Sequence, residues 1–175
     1  MVEIEVKIRV DDLDSFKEKI VNLDARLEKE RYSEENTLYD FSTQTLTKKQ
    51  QALRLRVAGK KIFLTFKGPP EKSRKFKIRK EYETEVKNKK QISQILKSLG
   101  FLPVFSYSKF RTVYRKKNLK ICLDEMSIGN FIELEGERNE IVKFTNALGI
   151  SKKEFIKLDY IQLIKKAKGK NSQDS

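Results

Sequence analysis

Residues 2–10 read VEIEVKIRV, an unbroken alternation in which Glu3, Glu5, Lys7 and Arg9 fill one set of positions and Val2, Ile4, Val6, Ile8 and Val10 the other. A period of two matches the side-chain repeat of a β-strand and no helical repeat, so the segment is extended, with one charged and one apolar face. The same parity returns down the chain. Arg54 and Arg56 alternate with Leu53, Leu55 and Val57, and Lys67 ends the next apolar run. Lys77, Arg79, Glu81, Glu83 and Glu85 share one parity, as do Lys109 and Arg111; Asp124 alternates with Ile121 and Leu123, and Glu133, Glu135 and Glu137 with Ile132 and Leu134. Strands that are apolar on one side only belong to antiparallel sheets, since parallel sheets are covered on both faces. Any fold open to this chain must bury one face of many strands and find a place for the charges on the other.

Between the strands the apolar spacing changes to three and four. Leu13, Phe16, Ile20 and Leu23 form a helical stripe after Asp11 and Asp12, either of which can cap it. Ile92, Ile95, Leu96 and Leu99 form a second stripe ended by Gly100, and Ile141, Val142, Phe144 and Leu148 a third ended by Gly149. Ser151-x-x-Glu154 reads as the capping box of a closing helix. Residues 27–41 read as extended, and STQTLTKKQQ as a loop with at most one helical turn. ALRLRVAGKKIFLTFKGPP reads as a hairpin turning at Ala58-Gly59-Lys60-Lys61. FLPVFSYSKFRTVYRK, NLKICLDEMS and GNFIELEGER read as three successive strands, with Gly129-Asn130 in the second turn. The expectation is an α+β chain, a sheet of seven or eight mainly antiparallel strands with helices outside. IEVK at 4–7 returns as TEVK at 84–87, each followed by a helix and a long extended segment, a short echo consistent with two related halves.

At 175 residues the chain suits one domain. A domain over 1–164 and a basic, disordered tail over 165–175 are expected. No apolar run approaches the roughly 20 residues of a membrane span, and the N-terminus lacks the apolar stretch of a signal peptide, so the expected location is cytoplasmic. The single cysteine, Cys122, has no partner for an internal disulfide, and the chain contains no histidine. That removes a zinc site of the usual kind, the commonest general base, and every Ser-His or Cys-His nucleophile pair. Chemistry here must run on carboxylates, Lys, Arg and Tyr, with or without a metal ion. The net charge of +14 points to an anionic partner.

The charged faces narrow the choice. If the sheet stays open, they face water and do little; if it closes, cations and carboxylates converge on an interior wide enough for side chains or one small ligand. Burying unpaired ions costs several kcal/mol each, so such an interior requires internal pairing and a ligand that satisfies both signs. A polyphosphate with a divalent metal does so. Arg and Lys grip phosphate oxygens, and Glu and Asp hold Mg2+ or Mn2+, hard cations that take oxygen ligands.

The ordered set of these residues resembles the CYTH family, the group named for class IV adenylyl cyclases and thiamine triphosphatases and also called triphosphate tunnel metalloenzymes. Its N-terminal E-x-E-x-K stands here as Glu3-Ile4-Glu5-Val6-Lys7. The resemblance continues through ALRLR, LTFKGP, YETEV, SKFRTVY, KICLDEMSIGNFIELEG and KLDYIQLI, covering residues 2–164 in order. It implies an eight-stranded antiparallel β-barrel, a triphosphate tunnel with helices packed outside, and two divalent ions. Residue by residue, it implies Glu3, Glu5, Glu133 and Glu135 as metal ligands, with Asp124 and Glu83 in support. Lys7, Arg54, Arg56, Lys67, Lys109 and Arg111 become the phosphate grip, with Arg79 a further candidate. One departure stands out: the family often has a Ser-Tyr pair in the last helix, whereas here Asp159 precedes Tyr160.

The motif order, including KGPP and GNFIELE, leans to the class IV cyclase branch, which converts ATP to cyclic AMP and pyrophosphate. The alternative is a triphosphatase acting on thiamine triphosphate, a nucleoside triphosphate or inorganic tripolyphosphate. A rival from another class is a non-catalytic RNA- or polyanion-binding domain, supported by the net charge and by Phe105, Tyr107, Phe110 and Tyr114 among basic residues. Alternating aromatics in a strand are more often core, and neither an RNP-like nor a Gly-x-x-Gly signal is present, so nucleic acid is the less favoured partner. Gly68-Pro69-Pro70 lacks the Gly-Lys-Ser/Thr ending of a phosphate loop, which leaves Lys67 to act as an isolated side chain. The expected partner is a small-molecule triphosphate, with no membrane and with a homodimer left open.

Overall fold

The computed structural model describes residues 2–171. In chain order the elements are β1 (Val2–Val10), α1 (Leu13–Asn22), β2 (Arg26–Asp40), α2 (Thr45–Lys48), β3 (Ala52–Ala58), β4 (Lys61–Lys67) and β5 (Lys77–Val86). They continue with α3 (Lys89–Ser98), β6 (Leu102–Lys116), β7 (Leu119–Met126), β8 (Gly129–Glu135), α4 (Arg138–Ala147) and α5 (Tyr160–Asn171). The strands run in the order β1-β5-β4-β3-β2-β6-β7-β8 and close into an eight-stranded antiparallel barrel. The expected fold class is therefore observed.

The chain divides into two compact units. Unit one comprises Met1–Glu3, Tyr32–Lys72 and Ile78–Lys109; unit two comprises Ile4–Arg31, Ser73–Lys77 and Phe110–Ser175.

In unit one the β3–β4 hairpin pairs Ala52 with Lys67 through Ala58 with Lys61, and β4 pairs with β5 from Ile62–Val86 to Lys67–Glu81. Asn88 caps α3 by accepting from Gln91 N at 3.0 Å. Gly100, at φ +89°, ends the helix in a conformation that L side chains avoid. Leu96 is buried among Tyr39, Leu55 and the neighbouring Leu53, Ile62 and Leu64, which is the apolar parity of β3 and β4. The loop after β2 folds around Asp40, whose carboxylate accepts from the backbone of Phe41, Leu46 and Thr47 and from the Thr47 hydroxyl. That collar produces the single turn α2.

In unit two β1, β7 and β8 form one wall, with Lys7 opposite Glu133 and Cys122 opposite Glu133 on its other side. Asp12, not Asp11, caps α1, accepting from Asp14 N and Ser15 N. Ile20 of α1 and Ile141 and Phe144 of α4 pack on Val6, Ile8, Ile121, Leu123, Ile132 and Leu134, the apolar parity. Full burial of one such side chain contributes roughly 1.5–3 kcal/mol, enough to hold a short helix whose own propensity is marginal. With the apolar parity under helices, the charged parity takes the face that lines the interior of a closed barrel.

Four details differ from expectation. The capping box Ser151-Glu154 forms, but it opens only a 3-10 turn, Lys152–Glu154, because the chain then extends and Ile156 makes an antiparallel bridge with Lys7. The helix starts afresh at Tyr160, where Asp159 and Gln162 cap each other reciprocally at 2.9 Å. It runs on to Asn171, so 165–171 of the expected tail is helical; 172–175 lie outside the described residues. Gly129 opens β8 at φ +119° instead of sitting in the turn, and a Cβ there would lie 2.8 Å from Arg9 Nη2. Glu137 falls beyond β8 and precedes α4.

Candidate functional site

Each unit gathers its own set of buried charges. In unit one Glu34 is fully buried, with Arg56 Nη1 at 3.5 Å and Lys109 Nζ at 3.4 Å from its two oxygens. Asn36 Nδ2 donates to Glu34 at 3.1 Å. Arg56 Nη2 also donates to both oxygens of Glu83, at 2.8 and 2.9 Å, Thr65 Oγ1 donates to Glu83 at 2.6 Å, and Arg54 Nη2 lies 3.7 Å from it. The Nε–H groups of Arg54, Arg56 and Arg79 are buried without a hydrogen-bond acceptor among the described residues. Burial works against the Arg54 charge, but Tyr107, Glu34, Glu81 and Glu83 outweigh it and hold the proton on more firmly than usual. This cluster therefore keeps fixed positive charge and two buried donors to spare, those of Arg54 and Arg56.

A second group in unit one is Glu3–Lys67–Glu81. Lys67 Nζ donates to Glu3 at 2.6 and 2.9 Å and lies 2.8 Å from Glu81. Burial and the neighbouring Glu3 carboxyl push the Glu81 carboxyl up to about 7, against the pull of Lys67.

In unit two Lys7 sits between two carboxylates, 3.0 Å from Glu5 and 2.9 Å from Glu133. Burial alone would favour a neutral amine, but Glu133 and Glu5 prevail and raise its proton affinity. Arg111 forks onto Asp124, Nε to Oδ1 and Nη2 to Oδ2 at 2.6 Å each, and Nη2 donates to Glu133 at 2.8 Å. Strand register accounts for both pairings, since Lys7 faces Glu133 across β1–β8 and Arg111 faces Asp124 across β6–β7. From α5, Tyr160 OH donates to Asp124 at 2.5 Å and its ring lies 4.9 Å from Lys7 Nζ. Lys77 adds a link at 3.4 Å to Glu5 and 3.7 Å to Asp159.

The structure thus joins Glu5, Lys7, Arg111, Asp124 and Glu133 in one chain of contacts, Arg54, Arg56, Lys109 and Glu83 in another, and Glu3 with Lys67 in a third. Glu135 is engaged by Lys120 at 3.0 Å and takes no part in the Lys7 group. Glu34, Asn36, Glu81 and Tyr160 are site residues that the sequence reading left without a role. Glu34 and Asn36 stand two apart before Leu38, an alternation readable in the sequence, but residues 27–41 read by themselves only as extended.

Among the described residues no three acidic side chains come close enough to hold a metal ion. The donors around Lys7 are nevertheless all carboxylate oxygens, the chemistry that suits a hard divalent cation, and Lys7 occupies with one positive charge the space between two of them.

A model of the CYTH domain matches residues 1–160. A Methanocaldococcus jannaschii protein named as a candidate adenylate cyclase, MJ0240, is 29% identical over 174 residues, covering 93% of this chain and 98% of that protein. Among solved structures, a candidate adenylate cyclase from Vibrio parahaemolyticus superposes with a TM-score of 0.85 at 20% identity, covering 94% of this chain and 98% of that one. HpAC1 from Hippeastrum, described as an adenylyl cyclase candidate with dominant triphosphatase activity, gives 0.70 at 21% identity, covering 94% and 96%. These two establish likeness of fold.

Proposed function

The chain belongs to the CYTH family, and from that premise we propose that it is a divalent-metal-dependent enzyme acting on the triphosphate of a nucleotide or organic triphosphate, of the class IV adenylyl cyclase type. Each unit contributes one observation in support of the reading. Arg54, Arg56 and Arg79 present buried Nε–H donors without acceptors among the described residues, and buried Lys7 and Arg111 are held by carboxylates. A ligand with many anionic oxygens supplies the missing acceptors, and a divalent cation supplies the charge that the carboxylates then need.

Lys7, Arg54, Arg56, Lys67, Lys109 and Arg111 bind phosphate oxygens, Arg through its planar fork and Lys as a point charge. Glu5 and Glu133 are the carboxylates that would hold Mg2+ or Mn2+, with Glu3 as a further ligand once Lys67 turns to phosphate and Glu135 as another once Lys120 releases it. When bound, the metal neutralises charge on the phosphate oxygens and lowers the pKa of an attacking oxygen. Asp124 is committed to Arg111 and Tyr160 and serves to aim the guanidinium. In cyclisation the ribose 3′-oxygen forms a bond to the α-phosphorus, the bond to the bridging oxygen of the β-phosphate breaks, and pyrophosphate leaves. A carboxylate of the same wall takes the hydroxyl proton in place of the absent histidine. In hydrolysis water bonds to the terminal phosphorus, the bond from that phosphorus to its bridging oxygen breaks, the diphosphate leaves, and a carboxylate takes the water's proton, so the attacked phosphorus ends as orthophosphate. The cyclase lean follows the extended likeness to a relative named for that activity. The second reading, triphosphatase, is favoured by the activity described for HpAC1.

Incubation with ATP, thiamine triphosphate and tripolyphosphate, with Mg2+ or Mn2+ and with EDTA, followed by separation of cyclic AMP, pyrophosphate and orthophosphate, tests both. Metal-dependent release of one of these products is expected. No turnover of any of the three, together with RNA binding that collapses in salt and ignores EDTA, overturns the proposal in favour of a polyanion-binding domain.

A further inference from the structure

Tyr160 is the first residue of α5 and touches two members of the unit-two chain at once. Its hydroxyl donates to Asp124 Oδ2 at 2.5 Å, and its ring lies 4.9 Å from Lys7 Nζ. The contacts form a closed circuit: Tyr160 to Asp124, Asp124 to Arg111, Arg111 to Glu133, Glu133 to Lys7, and Lys7 back to the Tyr160 ring. Tyr160 is the one uncharged member. Phe131 packs edge-on against the ring, with centroids 5.5 Å apart at 73°, so the ring cannot swing without moving a core residue that is 1% exposed. The backbone that carries it is pinned just before it by the reciprocal Asp159–Gln162 cap and by Asp159's approach to Lys77.

We propose that Tyr160 is a positioning residue for the triphosphate. Its hydroxyl holds the Asp124 carboxylate in the plane that aims the Arg111 fork, and its ring face seats the Lys7 ammonium. The inference rests on the reading above, in which Arg111 and Lys7 bind phosphate. The physical need is clear from Asp124, which is fully buried. Two of its acceptor sites go to Arg111, and the phenol supplies a third, directional contact that stops the carboxylate rotating with its guanidinium. Burial, with Asp124 and Glu133 nearby, keeps the phenol protonated and hence a donor throughout the neutral range. A second, independent restraint acts on Lys7, which feels the π face in a site sealed from water, where such attraction is strongest.

The test uses the full chain and the variants Y160F, D124N and Y160F/D124N, with tripolyphosphate or ATP and Mg2+. Y160F removes only the hydroxyl and is expected to lower kcat/KM about tenfold, the effect of leaving one buried acceptor unmet. In the D124N background the same change is expected to cost less than about twofold, because the hydroxyl acts through Asp124. Y160L, which also removes the ring from Lys7, is expected to lose about a hundredfold. A readout free of turnover is the solvent exchange of the Arg111 Nε–H proton by NMR, expected at least about tenfold faster in Y160F. Additive losses in the cycle, or an Arg111 signal that exchanges in Y160F at the wild-type rate, overturn the proposal. Absence of turnover in the wild-type protein instead overturns the functional reading, and the exchange measurement still decides whether Tyr160 orders Arg111.

Discussion

Arg111→Ala should be among the most destabilising single changes in unit two. Arg111 is 4% exposed and makes three charged hydrogen bonds, two to Asp124 at 2.6 Å and one to Glu133 at 2.8 Å. Its truncation takes two charged hydrogen bonds from Asp124, which is 0% exposed, and one from Glu133, which Lys7 also contacts. Breaking a buried pair by removing one partner costs about 3–5 kcal/mol, because the orphaned charge stays buried. At about 2–4 °C per kcal/mol for a chain of this size, the melting temperature should fall by roughly 6–20 °C. The diagnostic step is Arg111→Leu combined with Asp124→Leu. Replacing both ions by apolar side chains of similar bulk removes the uncompensated charge, so the double variant should recover most of the loss. Arg111→Lys should fall between, since an ammonium cannot make the two parallel bonds. Urea unfolding followed by circular dichroism, with calorimetry to check two-state behaviour, measures these three variants and the two single Leu changes beside the wild type. An Arg111→Ala loss below about 1 kcal/mol, or a double variant as unstable as the two singles combined, refutes the reasoning that buried charge pairing dominates this wall.

Glu133→Gln should abolish metal-dependent turnover, whereas Arg56→Ala should act chiefly by raising KM; wild-type kinetics for both would remove the assigned roles. Glu81 gives a pH signature. Its folded pKa, about 7, lies above the ordinary 4.5, so the folded state holds the proton longer and is favoured at low pH. In EDTA-containing buffer, stability should therefore fall as pH rises from about 4.5 through 7, and Glu81→Gln should flatten that slope; an unchanged slope in urea titrations across the window counts against the carboxyl pair. Cys122 is fully buried and its thiol is pushed up to about 11 by burial, only partly opposed by Arg111 and Lys120. It should resist a thiol reagent at pH 8 until urea unfolds the chain, and rapid labelling of the native protein would show that unit two opens locally.

Much of this was legible in the sequence because parity is a strict geometric rule. Once VEIEVKIRV is extended, Lys7 must share a face with Glu3 and Glu5, and antiparallel pairing then decides which strand supplies its partner. The ordered charged motifs also pointed to the family whose model covers residues 1–160. What parity cannot give is which charges meet. Glu133 and Glu135 have the same face and the same chemistry, yet one pairs with Lys7 and the other with Lys120. Register and side-chain reach decide that, and neither is written in a single strand. The Ser151–Glu154 box misplaced the last helix for a related reason. The box satisfies local donors equally well in one 3-10 turn, and the bridge from Ile156 to Lys7 then holds the chain extended. Tyr160 appeared only as part of a motif, because nothing local distinguishes a tyrosine that packs from one that aims a carboxylate.

The wall around Lys7 and Arg111 has a consequence for discrimination among anions. Its cations are already neutralised by its own carboxylates, so it behaves as an ion exchanger and not as an empty socket. An incoming anion gains only the difference between the contact it makes and the one it displaces, and each displaced carboxylate must find a counter-ion arriving with the ligand. A lone phosphate swaps one contact for another and gains little. On the proposed function, a chain of phosphates carrying its own divalent cation would swap several together, and preference for longer anions would then emerge from the stoichiometry of exchange, with no single residue acting as a ruler.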